Sequence, residues 1–231
     1  MSTDYEPFAA AYSRANEGNL LNGFYERPAM LDLLGEVAGQ RVLDVGCGSG
    51  PLSAALVGRG ATVTAFDSSR AMVDLARRRL GAGARLEVAD LGQPLPFADA
   101  AFDAVAASLV LHYLRDWGPP LSELRRVLRP GGRIVLSVPH PSAFLVNYPD
   151  RDYFATAEYS ETFTFDGQAA TLTYWHRPLH AMTDAFDRAG LRVCVVSEPP
   201  FSPDAPPEVR PPDLGDRTVF VCFLFFVLER D

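Results

Sequence analysis

Cysteine is scarce: Cys47, Cys194 and Cys222 are the only three in 231 residues, on separate predicted elements and without C-x-x-C spacing. A disulfide framework and a paired-thiolate metal site are both excluded on that pattern, and the thiols read as reduced packing residues. No apolar run is long. The longest, Val219 to Leu228, is half of what a helix needs to cross a bilayer. Met1 to Glu6 carries neither the basic start nor the apolar stretch of a secretory signal, so a cytoplasmic location is expected. Basic charge is also short, with a net charge of −8, which disfavours nucleic acid as a partner because polyanions are held largely by Lys and Arg. The one dense basic run, Arg77-Arg78-Arg79, closes a predicted helix, where positive charge suits the carboxyl end. There is no internal repeat, and no histidine precedes residue 112.

What is present begins with Val42-Leu43-Asp44-Val45-Gly46-Cys47-Gly48-Ser49-Gly50, a short apolar strand, an acid, and glycine at every second position. Three glycines this close permit positive φ and remove the Cβ atoms that would hold a ligand off the backbone. Pro51 can then open a helix without wasting a donor. Dinucleotide folds start similarly, but their spacing is G-x-G-x-x-G, which aims a helix amino terminus at a pyrophosphate. Here the third glycine comes one residue early and an acid precedes the turn. That arrangement suits a cationic ligand better than a phosphate.

These residues resemble the first motif of class I S-adenosylmethionine-dependent methyltransferases, of the small-molecule, type 11-like branch. The likeness continues through Asp67 at the end of the next strand, Asp90-Leu91 after the third, Phe102-Asp103-Ala104-Val105 in the fourth, and Leu124 to Gly132 leading into the fifth. The resemblance implies S-adenosyl-L-methionine as cofactor, S-adenosyl-L-homocysteine as product, Asp67 on the ribose hydroxyls, and Asp90 with Leu91 on the adenine. It also implies cofactor contacts from Tyr12, Asp44, Gly46, Cys47, Gly48, Gly50, Ser68, Met72 and Ser108. Met72 packs on either the adenine or the sheet.

Strand and helix alternate from Arg41 to Val138, which predicts an α/β, Rossmann-like doubly wound sheet. With the resemblance, seven strands are expected in the order 3-2-1-4-5-7-6, the seventh antiparallel. Residues 1–231 form one predicted domain. It comprises an amino-terminal helical cap (1–40), a cofactor-binding core (41–138), an inserted lid (139–177) and a carboxyl-terminal part of the sheet (178–231). The lid contains a predicted hairpin turning at Asp166-Gly167 and nine aromatics from Phe144 to Trp175, which divide between packing and pocket lining. Pro199 to Pro212, with seven prolines, should be stiff and extended.

Methyl transfer needs alignment and exclusion of water, and a base only where the acceptor must lose a proton. Position singles out His112 after strand four and His140 after strand five as candidate bases. Tyr25, Trp175 and His176 are expected on the substrate side. A metal site is not expected: His176, His180 and Asp184 are four apart, but Pro178 keeps the first out of helical line. The acceptor is expected to be a small aromatic or apolar metabolite, with no membrane or nucleic-acid partner, and the protein a monomer or homodimer. An RNA or protein methyltransferase, and a cofactor-binding protein without methyl transfer, remain open alternatives. Strand four nevertheless ends in Ala107-Ser108-Leu109 and lacks the Asn/Asp-Pro-Pro-aromatic motif of nucleic-acid amino methylases.

Overall fold

The computed structural model describes residues 4–231. The chain opens with a 3-10 turn, Glu6–Phe8, then α1 (Ala9–Gly18), a π-helical turn Leu20–Glu26 and α2 (Arg27–Leu34). Helical structure is therefore nearly continuous through Gly23 and Pro28. Gly23 N–H donates to Asn19 O at 3.0 Å inside the wider turn, and Pro28 occupies the first turn of α2, where its missing donor costs nothing.

The sheet then builds through β1 (Arg41–Val45), α3 (Pro51–Gly58), β2 (Thr62–Asp67), α4 (Arg70–Leu80), β3 (Ala84–Val88) and β4 (Phe102–Ala107). After β4 come α5 (Gly118–Val127), β5 (Leu128–Pro139) and α6 (Pro141–Asn147). A separate antiparallel hairpin follows, β6 (Ala157–Phe165) and β7 (Gln168–His176), and the chain closes with α7 (Leu179–Arg188), β8 (Leu191–Ser197) and β9 (Phe223–Arg230). Strand order is β3-β2-β1-β4-β5-β9-β8, with β1 to β5 parallel and β9 antiparallel to both neighbours. This is the expected seven-stranded sheet.

Alternation along β9 shows how the two faces are filled. Phe226 and Leu228 pack with Leu43, Val45, Trp117, Leu121 and Phe186 on one face, whereas Phe225 and Val227 join Val42, Leu52, Leu56 and Met30 on the other. Local chemistry sets local structure. Ser69 caps α4 by accepting from Met72 N–H at 3.2 Å, and Asp166 and Gly167 both take positive φ, as a two-residue hairpin turn requires.

Three boundaries differ. β5 pairs from Leu128, and the register shift between Phe102 and Ala104 absorbs Pro130-Gly131-Gly132 before pairing resumes at Arg133. The last strand starts at Phe223, four residues after the apolar run begins at Val219, because 219–222 do not pair in the sheet. The proline-dense loop contains two 3-10 turns, Pro207–Val209 and Pro212–Leu214, both opened by proline at a position where φ near −65° is already helical. Among the described residues no helix is long and apolar enough to cross a membrane.

The strand order reverses between β2-β1 and β4-β5, so the carboxyl ends of β1 and β4 diverge and leave a crevice. The glycine turn occupies that place. Gly46 has φ of 66°, and a Cβ built there would stand 2.6 Å from Val110 Cγ2, so both backbone conformation and space demand glycine. Gly46→Ala should lower stability by about 1–3 kcal/mol, a drop in Tm of about 2–4 °C per kcal/mol for a chain of this length. Thermal denaturation followed by circular dichroism checks it; an unchanged Tm would show that the Val110 loop yields freely.

Candidate active site

β1 delivers Asp44 to the sheet edge, and Ser53 Oγ on α3 donates to its Oδ2 at 2.5 Å. Its other oxygen, Oδ1, is buried without a hydrogen-bond partner. Burial pushes the Asp44 carboxyl up to about 7, with the neighbouring acids Glu26 and Asp67 adding to the effect. β2 delivers Asp67, whose Oδ2 accepts from Gly48 N–H and Oδ1 from Ser69 N–H, each at 2.9 Å. Burial raises its pKa too. Gly48 has φ of 54°, and no protein atom lies within 4 Å of where a Cβ would stand, so the surface there is bare backbone.

A third acid arrives from the amino-terminal helices. Glu26 is 3% exposed, and its Oε1 accepts from Ser108 Oγ at 2.8 Å and Ser137 Oγ at 2.6 Å. Ser108 directly follows β4 and Ser137 lies near the end of β5, so Glu26 ties the cap to both central strands. Burial raises its pKa. Beside it Leu109 adopts φ of 47°, uncommon for a bulky residue, and its N–H donates to Ser137 Oγ at 3.0 Å. The cap is clipped down elsewhere by Glu6, which accepts from Ser69 Oγ and Ala71 N–H at the start of α4, and by Ser13 Oγ donating to Ser49 Oγ at 2.7 Å.

Together these elements line one cavity. Its wall includes Tyr12, Asp44, Gly46, Cys47, Gly48, Asp67, Ser68, Met72, Asp90, Leu91 and Ser108, every cofactor candidate of the sequence except Gly50. Gly50 instead takes φ of 83° as the cap of α3 and packs against Ala76 and Leu80 of α4. Asp90 spends Oδ1 on Gly92 N–H at 2.8 Å, while Leu91 and Met72 are buried. An unpaired buried carboxylate oxygen, two further acids and bare glycine backbone fit a nucleoside that carries positive charge. No ion pair to Asp44, Asp67 or Glu26 exists among the described residues within 4 Å.

The match to known proteins agrees with this chemistry. Residues 43–136 match the family model described as a methyltransferase domain. The structure of an S-adenosylmethionine-dependent methyltransferase from Mesorhizobium loti superposes with a TM-score of 0.68 at 27% identity, covering 88% of this chain and 96% of that one. Residues 43–136 thus form a methyltransferase domain of the class I S-adenosylmethionine-dependent kind. In sequence, the chain is 41% identical over 140 residues to a demethylmenaquinone methyltransferase of Clavibacter sepedonicus, covering 59% of this chain and 56% of the relative. It is 40% identical over 138 residues to a malonyl-[acyl-carrier protein] O-methyltransferase of Serratia marcescens, covering 56% of this chain and 51% of the relative. The chain thus matches about half the length of these curated relatives.

A second cavity of about 660 Å³ adjoins the first, and Tyr12, Asn16, Asn22, Leu109 and Tyr113 line both. The β6–β7 hairpin forms much of its wall through Tyr159, Phe165, Tyr174 and Trp175, with Phe144 and Tyr148 packed beside Tyr159. His112, His140 and His176 line it as well, in three different states. Burial drives the His112 pKa down to about 3, so the ring is neutral near pH 7 and a weak base; its Nδ1 is buried without a partner. His140 Nδ1 accepts from Ser142 N–H at 3.1 Å, capping α6, and Nε2 lies 2.9 Å from Glu198. Both nitrogens are engaged, which corrects the expectation of a free base: no lone pair remains for a substrate proton. His176 stacks on Phe144 at 3.8 Å, and its Nε2 donates to Tyr153 O at 2.8 Å, which leaves the lone pair on Nδ1. Burial lowers its pKa.

Trp175 lines the larger cavity, with the Arg115 guanidinium 5.4 Å from its ring centre. Tyr25 does not belong there. It is 2% exposed, packs against Phe220, Phe223 and Phe225, and lines neither cavity, so the expected substrate contact is a core anchor between the cap and β9. Burial pushes its phenol up to about 12. Glu26 was missed because its partners Ser108 and Ser137 lie 82 and 111 residues away, and an acid beside Arg27-Pro28 looks like an ordinary helix start. The only local hint was its place in the segment expected to cover the cofactor.

The raised Asp44 pKa has a signed consequence. Protonation of Asp44 stabilises the free protein below about pH 4, and that contribution is lost as pH rises through about 7. A cationic ligand needs the ionised form, so S-adenosylmethionine affinity should rise with pH through about 7. Asp44→Asn should lower affinity about 10- to 100-fold at pH 8, the scale of a lost charged hydrogen bond, and flatten the pH dependence. Calorimetric titration between pH 6 and 8.5 measures both; an unchanged slope in Asp44→Asn would remove Asp44 as the titrating group.

Proposed function

We propose that the protein transfers a methyl group from S-adenosylmethionine to a small aromatic or apolar metabolite. The carrying observation is the pair of adjoining cavities, one acidic and glycine-walled, the other large and aromatic, with Tyr12, Asn16, Asn22, Leu109 and Tyr113 common to both. Asp44, Asp67, Asp90 and Leu91, with the turn at Gly46 and Gly48, would hold the cofactor, and Glu26 would add negative charge from the cap. When bound, the cofactor supplies an electrophilic methyl group on a positively charged sulfur.

The chain's own residues supply position and dryness. Tyr5, Tyr12, Tyr113 and Tyr174 form a ring cluster joining the cap to the β4–α5 loop and the hairpin, with a short hydrogen bond between the Tyr5 and Tyr113 hydroxyls. Burial raises all four phenols, so they stay protonated and serve as hydrogen-bonding walls that keep out water. If the acceptor must lose a proton, His176 offers its Nδ1 lone pair, and His112 is the weaker base. Residues 4–40 then act as cap, 41–138 as cofactor core, 139–177 as lid and 178–231 as the closing part of the sheet. The setting is cytoplasmic, and natural-product biosynthesis suits the cavity.

Full-length protein should bind S-adenosylhomocysteine saturably and release it from S-adenosylmethionine only when an aromatic metabolite pool is added. Phe144→Ala, which removes the ring stacked on His176, should reduce turnover about tenfold or more by loosening alignment, with S-adenosylhomocysteine binding unchanged. Methyl incorporation into bulk tRNA or a peptide pool, with none into small molecules, would transfer the proposal to a macromolecular acceptor.

A further inference from the structure

Two side chains in the larger cavity wall, His112 and Arg177, carry buried nitrogens with no hydrogen-bond partner among the described residues: His112 Nδ1 and Arg177 Nε. Both belong to or pack against the segment 111–117. His112 sits in the 3-10 turn Leu111–Tyr113, its ring 5.2 Å from that of Tyr174 on β7. Arg177 immediately follows β7, with its guanidinium 4.6 Å from the Trp117 ring centre and Nη2 donating to Arg115 O at 2.5 Å. Trp117 Nε1 donates in turn to Leu111 O at 2.8 Å, which ties the ring under Arg177 to the turn bearing His112.

The charges around this segment leave the guanidinium without an acid. Asp116 acts on it electrostatically, but Asp116 Oδ1 accepts from Gly118 N–H at 2.9 Å, and Asp116 is not part of the cavity wall. Glu161 is in the wall, where its Oε1 accepts from Tyr148 OH at 3.2 Å. In the hairpin, Glu161 pairs with Leu172 whereas Ala157 pairs with His176, so Glu161 stands four residues, about 13 Å, along the strand from the Arg177 end. Between them lie Tyr159, Tyr174 and Trp175. A guanidinium and a neutral imidazole, both incompletely bonded and set at the end of an aromatic slot, form a fork of donors for a planar anion.

We propose that this part of the wall binds the carboxylate of an aromatic acid, so that the acceptor is an aromatic carboxylic acid rather than a neutral arene or an amine. Arg177 and His112, with its proton on Nδ1, donate to the two oxygens while the aromatic walls hold the ring. The proposal rests on the methyl-transfer reading above and narrows it to a substrate class. A purely structural Arg177, binding Trp117 and Arg115 alone, would give no preference between an acid and its neutral amide.

Matched pairs separate the two. Benzoate and benzamide, 2-naphthoate and 2-naphthamide, and biphenyl-4-carboxylate and its amide are titrated calorimetrically into full-length protein saturated with S-adenosylhomocysteine. At least one acid should bind about tenfold more tightly than its amide, as a charged hydrogen-bond fork implies. Arg177→Gln should erase that preference and Arg177→Lys retain part of it, with S-adenosylhomocysteine affinity unchanged. His112→Phe keeps a ring, loses the donor, and should weaken the acid alone, which keeps the test decisive if Arg177→Gln does not fold. Equal binding of acid and amide, a preference that survives these substitutions, or no binding by any acid overturns the proposal. In each of those cases retained S-adenosylhomocysteine binding confines the failure to the acid site, whereas its absence removes the methyl-transfer reading as well.

Discussion

Burial of carboxyl groups around a single crevice is the constraint on which the rest of the structure depends. Asp44 and Glu26 are buried and Asp67 half-buried near the ends of β1, the cap and β2, and burial raises the pKa of each. Backbone amides and serine hydroxyls compensate Asp67 and Glu26, but Asp44 keeps one oxygen unpaired. Buried acids in this state favour whatever brings positive charge to them. The local geometry follows from that: a glycine turn that leaves bare backbone, a strand order that opens a gap, and a cap that closes it.

The cap and the hairpin are consequences of the same need for a dry site. Neither belongs to the sheet, yet each contacts the loop after β4, where Leu109 is held in a strained conformation. Tyr5 and Tyr12 reach from the cap, Tyr174 from the hairpin and Tyr113 from that loop, so one aromatic cluster joins three segments distant in sequence. On the function proposed above, the core keeps its cofactor chemistry while the surrounding segments choose the acceptor. This agrees with relatives that share about half their length with the chain and carry different substrate names.

Much of the fold was legible because its determinants are short-range. Ser69 caps α4, Asp166-Gly167 turns the hairpin, and Pro51 and Pro119 sit in the first turns of α3 and α5, each acting within a few residues of itself. The wall of the first cavity was legible for a related reason: in a parallel sheet, strand ends share an edge, so acids at the ends of successive strands meet there. The errors fall where partners are remote. Tyr25 reads as an amphipathic ring near a pocket but is claimed by Phe220, Phe223 and Phe225 almost 200 residues later. His140 reads as a base after a strand but is spent on Ser142 and Glu198.

Sequence by itself determined the cofactor class, because glycine spacing and the acids Asp44, Asp67 and Asp90 impose their geometry through backbone conformation and strand periodicity. Tertiary structure alone decided which polar groups remain available. Protonation and hydrogen-bonding capacity depend on what lies opposite each side chain: Ser108 and Ser137 for Glu26, Glu198 for His140, nothing for His112 Nδ1 or Arg177 Nε. Those pairings join residues tens to hundreds of positions apart, and no local pattern in the chain encodes them.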